Sequence, residues 1–287
     1  MCAGRLGETM LVKFWGVHGS LPRPGPSTLK YGGNTACVEV RCGPELIVFD
    51  AGTGIRELGE DLVRRGMCPS KTKIKGHIFF SHLHWDHVQG FPFFSPIFEE
   101  GNEFHLYGGR NLNRTLYSLM SDQMAAPNFP VSLQTLAATL RFHDVEPGTT
   151  IVVDEARIRT ERLNHPGGSL GYRLEHDGKV LVYASDTEHT DGLDPLMLEF
   201  VRAADALIYD SMFTPDQYLG VADQLSRQSW GHSTWEAAVE LARVAGVKQL
   251  ILFHHGNCDA VVADIESNAR KRFPGCHAAY EGLEILL

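Results

Sequence analysis

The chain has 287 residues, about twice the usual domain size, and can bury a large core without disulfide bonds. Hydrophobic residues make up 43% and charged residues 21% of the sequence, a composition that excludes disordered, collagen-like and coiled-coil proteins. The 26 basic and 35 acidic residues give a formal net charge of −9, so the overall field repels polyanions and favours a small substrate.

The first half of the chain predicts a short tail followed by strands, a helix and a polar segment. Residues 1–9 are expected to form a flexible tail, and segment 81–87 is polar and directly follows a buried apolar strand. The polar side chains of this segment therefore lie at the C-terminal end of a strand. The elements predicted before it are strands at 10–15, 36–40, 45–50 and 75–80 and a helix at about 55–65.

The second half of the chain predicts further short strands and three helices. No linker, low-complexity tract or internal repeat occurs, so residues 10–287 are expected to form a single domain made of two half-sheets. The order of elements fits an α/β fold, an αββα sandwich of two mixed β-sheets with helices on the outer faces. The predicted strands are 150–153, 156–163, 169–175, 180–184, 206–209, 249–253 and 283–287, and the predicted helices are 195–204, 233–245 and 261–273.

The cysteines, the N-terminal segment and the histidines indicate the cellular compartment and the chemistry of the protein. The six cysteines form no CxxC pair, which predicts reduced thiols in the cytoplasm. The N-terminus lacks the features of a signal peptide, and no run of about 18 apolar residues occurs, so no membrane span is expected. The 14 histidines point towards chemistry, because imidazole binds metals and titrates near neutrality.

Histidine and aspartate are concentrated in His82-Leu-His84-Trp-Asp86-His87, which supplies four candidate metal ligands in six residues. On an extended chain His82 and His84 point to the same side and can bind one ion. The turn that follows lets Asp86 and His87 face a second ion, with a nitrogen and oxygen set that suits zinc or a similar divalent metal. A polar loop explains the segment poorly, because clustered imidazoles repel when protonated and cost burial energy when neutral.

Further ligands are expected at the ends of other strands on the same rim. His165 and Asp186 each follow a predicted strand, and His254 ends the apolar strand 249–253. Taken alone, Asp186 could be a turn residue. The role of His255, next to His254, is left open.

The signature at residues 82–87, followed at a distance by single His, Asp and His residues, resembles the metallo-β-lactamase superfamily over nearly the whole chain. The resemblance implies that fold and a dinuclear hydrolase in which a water or hydroxide shared by two divalent ions is the nucleophile. Zinc is the expected metal and manganese the alternative, and Asp86 counts among the catalytic residues as well as the ligands. The resemblance assigns His82, His84 and His165 to one ion, Asp86, His87 and His254 to the other, and Asp186 to a bridge between them.

A second motif resembles one branch of this superfamily, which contains tRNA 3′-processing ribonucleases and cyclic-phosphodiester hydrolases. Gly231-His232-Ser233-Thr234 opens a predicted helix and is similar to the HST motif of that branch. The resemblance implies that His232 binds no metal and acts as a general acid or transition-state stabiliser at the phosphate. Asp210 stands where the branch has an acidic partner for this histidine, usually Glu. Taken alone, His232 could be a surface residue and Asp210 a turn residue.

The spacing of the later ligands bears on the substrate. Only 21 positions separate His165 from Asp186, enough for one hairpin but not for the long basic arm of the tRNA-processing relatives. Together with the net charge, this favours a small cyclic phosphodiester, a cyclic mononucleotide, over a long nucleic acid. The expected protein is a cytoplasmic phosphodiesterase and, by resemblance, a homodimer. An RNA 3′-end-processing ribonuclease and an acyl hydrolase of the lactonase or thioesterase type are the alternatives.

Two segments are candidates for contacting the base of a nucleotide. Phe91, Phe93, Phe94 and Phe98 could stack on it, although core packing is the competing explanation. The loop-like segment 121–140 could instead be a lid or a dimer contact. The sequence does not decide between them.

Overall fold

The computed structural model describes residues 9–67, 73–111, 113–189, 191–221 and 223–287, and its strands form two seven-stranded mixed β-sheets. The strands are, in chain order, β1 (Met10–Gly16), β2 (Cys37–Cys42), β3 (Glu45–Phe49), β4 (Lys75–Phe79), β5 (Glu103–Gly108), β6 (Thr139–Asp144), β7 (Thr150–Val153), β8 (Ala156–Leu163), β9 (Ser169–His176), β10 (Lys179–Ala184), β11 (Ala206–Asp210), β12 (Gln249–Phe253), β13 (Cys276–Ala278) and β14 (Glu284–Leu286). The α-helices are α1 (Gly54–Leu62), α2 (Trp85–Val88), α3 (Leu116–Gln123), α4 (Pro195–Val201), α5 (Pro215–Leu219), α6 (Trp235–Ala245) and α7 (Asp259–Arg272).

Each sheet is antiparallel on one side and parallel on the other. In the first sheet, of order β14-β1-β2-β3-β4-β5-β6, pairing is antiparallel from β14 to β3 and parallel from β3 to β6. In the second, of order β13-β12-β11-β10-β9-β8-β7, pairing is antiparallel from β7 to β10 and parallel from β10 to β13. The segments that follow β3, β4, β10 and β12 contact one another at one rim of the sandwich.

Aromatic side chains join the two sheets. Phe49 of the first sheet stacks on Tyr183 of the second, with ring centroids 5.1 Å apart and the planes 7° from parallel, and lies 5.5 Å from the ring of Tyr172. Leu58 and Leu62 of α1 pack on the outer face of the first sheet, and α4, α6 and α7 cover the second. The predicted αββα sandwich of two mixed sheets is therefore confirmed.

The strands β5 and β6 and the helix α3 were not predicted. Polar residues alternate with apolar ones in both strands, which weakens the apolar signal on which the prediction relies. Three imidazoles occupy such positions across β4, β5 and β6. The rings of His77 and His105 lie 5.1 Å apart and those of His105 and His143 lie 5.2 Å apart, so the three imidazoles form one stacked row.

The helix boundaries reflect capping. The predicted helix at 233–245 begins at Trp235, because Thr234 is its N-cap and its side chain accepts a hydrogen bond from the backbone of Ala237. Residues 1–8 of the predicted tail lie outside the described residues, and the single domain over 10–287 stays a prediction. None of the helices in the described ranges has the length and apolar character needed to cross a membrane.

Candidate metal centre

The polar segment after β4 changes from extended chain to helix in the middle of its histidines. His84 is the N-cap of α2 and has an extended backbone, with φ −65° and ψ 155°. Asp86 and His87 belong to the helix that follows. The change of direction sends His82 and His84 towards one group of side chains and Asp86 and His87 towards another.

All seven side chains predicted as ligands come together at this rim. The later ones arrive as expected, because His165 follows β8, Asp186 follows β10 and His254 follows β12. They form two groups, and within each group the candidate ligand atoms lie within 4.8 Å of one another. The groups are His82, His84 and His165, and Asp86, His87, Asp186 and His254.

Asp186 lies between the two groups. Its Oδ2 is 3.8 Å from Nε2 of His82 and 4.0 Å from Nε2 of His165. Its Oδ1 is 3.1 Å from Nε2 of His87 and 3.3 Å from Nε2 of His254. One carboxylate oxygen therefore faces each group, which is the placement that a carboxylate shared by two ions requires.

The protonation states suit cations. Burial lowers the pKa of His82, His84 and His165, so these imidazoles are neutral near pH 7 and have a free lone pair. Burial alone would raise the pKa of Asp86 and Asp186, but the neighbouring histidines outweigh it and hold both carboxyl groups ionised.

His87 has a raised pKa, which indicates that its surroundings attract positive charge. Burial alone would lower its pKa, but Asp186, Asp86 and Asp50 surround the ring and raise the pKa well above its usual value. In the described ranges neither a lysine nor an arginine pairs with Asp86 or Asp186. Nε2 of His82 is also buried without a hydrogen-bond partner among the described residues. The donor set therefore fits two divalent ions.

Asp50 orients this centre from behind, and sequence reasoning missed it. It is fully buried at the end of β3, and its Oδ2 lies 2.8 Å from Nδ1 of His87. The same carboxylate accepts hydrogen bonds from the backbone N–H of Ser81, at 2.7 Å, and from the hydroxyl of Tyr183, also at 2.7 Å. A proton held on Nδ1 leaves Nε2 of His87 free for a metal. The available signal was an aspartate ending an apolar strand, as at Asp186.

The loop after β1 closes over the second group. The backbone N–H of Ser20 donates to Oδ2 of Asp86 at 2.7 Å. Gly19 lies against His254 so closely that a Cβ at position 19 would stand 2.5 Å from Nδ1 of that ring. Glycine is therefore required at position 19 for the loop to reach the site.

His232 and Asp210 form the predicted pair. Nδ1 of His232 donates to Oδ2 of Asp210 at 2.8 Å, and the backbone N–H of Ser233 donates to the other oxygen at 3.2 Å. The ring of His232 stacks on His254 at 5.0 Å, so the pair lies beside the two groups. Burial alone would lower the pKa of His232, but the Asp210 carboxylate outweighs it and raises the pKa to about 9.

Other residues singled out in the sequence lie elsewhere. Nε2 of His255 donates to the carbonyl of Ala279 at 2.9 Å, so this ring faces away from both groups. Phe91 and Phe94 are fully buried in the core, so for these two residues the core-packing explanation applies and stacking on a base does not. Phe93 and Phe98 are exposed.

A family model described as a β-lactamase superfamily domain matches residues 46–255, a range that includes all seven candidate ligands. Among curated proteins, the chain is similar to ribonuclease Z of Thermococcus kodakarensis, with 27% identity over 77% of this chain and 78% of that protein. It is also 27% identical to ribonuclease Z of Lacticaseibacillus casei, over 84% of this chain and 85% of that protein.

Solved structures share the fold. The metallo-β-lactamase fold protein YhfI from Bacillus subtilis matches with a TM-score of 0.73, 18% identity and coverage of 98% of this chain and 100% of that one. The short form of human tRNase Z matches with a TM-score of 0.62, 19% identity and coverage of 96% and 98%.

The relatives named ribonuclease Z correct the prediction that no long nucleic acid is bound, because that name denotes an enzyme acting on RNA. The predicted hairpin between His165 and Asp186 is present as β9 and β10, but the exclusion of a long nucleic acid that was drawn from it and from the net charge was wrong. Net charge is summed over the whole surface and does not describe the field at one rim.

The hydrogen bonds of Asp50 predict a role in metal affinity. Asp50→Asn is expected to weaken metal binding about 10- to 100-fold, because the amide removes the negative charge and one of the two acceptor oxygens of the carboxylate that holds the Nδ1 proton of His87. Titration against a chelating dye measures the affinity. The control is Asp205→Asn, which changes a buried aspartate just before β11, at the end of the sheet opposite the rim, and is expected to keep wild-type affinity. Equal affinities in Asp50→Asn and the wild type would contradict the assignment.

Proposed function

This chain belongs to the metallo-β-lactamase superfamily, and from that premise we propose that it is a two-metal phosphodiesterase that processes the 3′ end of an RNA. One observation carries the proposal: Asp186 faces two ligand groups at once, with the His232–Asp210 pair beside them. Two ions about 3.5 to 4 Å apart are typical of enzymes that cleave phosphate esters.

The ligands that we propose are the two groups already described, with Asp186 shared between them. Zinc is the proposed metal and manganese the alternative, since imidazole nitrogens and carboxylate oxygens suit both. When bound, two such ions would make a water molecule more acidic and neutralise negative charge on the phosphate. The cytoplasmic location and the homodimer stay predictions.

His232 is the residue placed to handle a proton. Asp210 accepts from its Nδ1, which orients the ring and favours the protonated form, so Nε2 can donate. A protonated Nε2 can stabilise charge on a phosphate oxygen or protonate the oxygen that leaves.

Similarity to proteins named ribonuclease Z over most of the chain supports an RNA substrate. A cyclic mononucleotide is the second candidate substrate. The observation that favours it is the short connection from β8 to β10, where a single hairpin fills the sequence between His165 and Asp186. The His232–Asp210 pair disfavours an acyl hydrolase, because the segment around His232 is similar to the HST motif of the phosphodiesterase branch.

Metal content tests the ligand assignment. Protein loaded with zinc or manganese is expected to carry two ions per chain by elemental analysis. His84→Ala and His254→Ala are each expected to lose about one ion, because each variant removes a ligand from a different group. The matched control is His255→Gln, which changes the adjacent histidine outside the site and is expected to keep both ions. Full occupancy at wild-type affinity in His254→Ala would rule out its role.

A substrate panel tests the reaction. The metal-loaded protein is expected to cleave an RNA with a 3′ extension faster than 2′,3′- or 3′,5′-cyclic nucleotides and to leave a lactone intact. Product analysis by gel and chromatography measures each rate. Cleavage of cyclic nucleotides without RNA cleavage would establish the second candidate instead. Turnover of the lactone alone would refute a phosphodiesterase.

The His232–Asp210 pair predicts a separation between metal binding and catalysis. His232→Ala is expected to keep both ions and to lower kcat about 10²- to 10⁴-fold, the usual worth of general acid–base catalysis. Asp210→Asn is expected to fall between this variant and the wild type, because it keeps a hydrogen-bond acceptor but removes the charge. Steady-state rates and elemental analysis check the result, and unchanged turnover in His232→Ala would remove it from the mechanism.

A further inference from the structure

We propose that Trp85 and the groove beside it form a binding subsite for a nucleobase of the substrate, next to the phosphodiester bond that is cleaved. The inference rests on the proposed function and adds to it a residue that recognises the substrate.

The exposure of Trp85 is the first observation. Its side chain is 82% exposed, the highest value among the large apolar residues that the structure describes. Leaving an indole in water forgoes the burial that usually makes tryptophan stabilising. Trp85 is also the first residue of α2 and lies between the candidate ligands His84 and Asp86. The position of its backbone relative to the metal centre is therefore fixed.

An apolar groove of about 610 Å³ adjoins Trp85. Its walls are Leu83, Trp85, Pro92, Phe93 and Phe129, and polar side chains line part of it, among them Gln89 and Asn128. Apolar walls with a few polar groups are typical of small-molecule sites, and the volume is sufficient for a nucleoside.

Specific contacts between side chains hold the walls of the groove in place. Phe93, which is 57% exposed, meets Phe129 edge to face, with ring centroids 5.6 Å apart. Nε2 of Gln123, at the end of α3, donates to the carbonyl of Val88 at 2.8 Å and so ties the far wall to α2. The two base-contacting candidates from the sequence thus meet in one place, since Phe93 comes from the aromatic run and Phe129 from segment 121–140.

The closeness of two groove residues to the candidate ligands along the chain points to the occupant. A phosphodiester in RNA has a nucleoside on each side, so a phosphate at the ions places a base within a few ångströms of the cleaved bond. Trp85 and Leu83 both line the groove, and each stands between two candidate ligands in the sequence. Stacking on an aromatic ring accepts any base, because every base has a π face. The subsite would therefore bind a base without selecting its identity.

The test compares phosphodiesters that share a leaving group but differ in the base. The substrates are the 5′- and 3′-(p-nitrophenyl phosphate) esters of thymidine and methyl p-nitrophenyl phosphate, which has no base. In the metal-loaded protein, Trp85→Ala is expected to lower kcat/KM for at least one thymidine ester relative to the methyl ester about tenfold or more, mainly through KM. Trp85→Phe is expected to recover most of this ratio, because a phenyl ring still stacks.

The control is Phe98→Ala, which removes an aromatic side chain that is 42% exposed, follows the same motif and does not line the groove. It is expected to leave the ratio unchanged. An unchanged ratio in Trp85→Ala, with all esters still cleaved, overturns the subsite and leaves the proposed function standing. Failure of the wild type to cleave any ester refutes the proposed function. A lower molecular mass of Trp85→Ala in light scattering, with all esters affected equally, assigns the groove to a second copy of the chain and overturns the base subsite.

Discussion

The rim has to supply positive charge, because it buries two ionised carboxylates among histidines that are mostly neutral. Asp86 is 5% exposed and Asp186 is 1% exposed, and removing an ionised carboxylate from water costs several kcal/mol unless positive charge compensates it. The ionisable partners of both carboxylates in the described structure are histidines. Of the three histidines in segment 82–87, only His87 has a raised pKa. A pair of divalent cations satisfies this requirement, and a core of ordinary hydrogen bonds does not.

The backbone at the strand ends turns sharply and brings the candidate ligands to the rim. Asp50, Asp186 and His254 each follow an apolar strand and adopt positive φ values of 60°, 47° and 61°. A non-glycine residue in this region costs of the order of 1–3 kcal/mol and persists where the surroundings enforce it. Here two packed sheets hold the strands in register, so the chain can turn sharply and direct these side chains inward. The rigid core thereby supports the strained rim.

Sequence reasoning predicted which side chains meet at this rim because the information for it is local. Four of the candidate ligands stand within six residues. His165, Asp186 and His254 each follow a predicted strand, and they could be predicted because strand ends meet at one rim. Asp50 was missed because it acts through His87 and Tyr183, and the latter contact joins positions 133 residues apart. Trp85 was overlooked as a spacer, since exposure cannot be read from a motif. The strands β5 and β6 were not predicted, because stacked imidazoles stand at positions where the prediction looks for apolar residues.

The origin of the ligands has a mechanical consequence. His82, His84, Asp86 and His87 follow a strand of the first sheet, whereas His165, Asp186 and His254 follow strands of the second. Each ligand group draws on both sheets. Cations held there would cross-link the two halves of the sandwich through side chains of both sheets. The free energy of metal binding would then add to the cohesion of the halves, and the same contacts that serve chemistry would brace the molecule against opening.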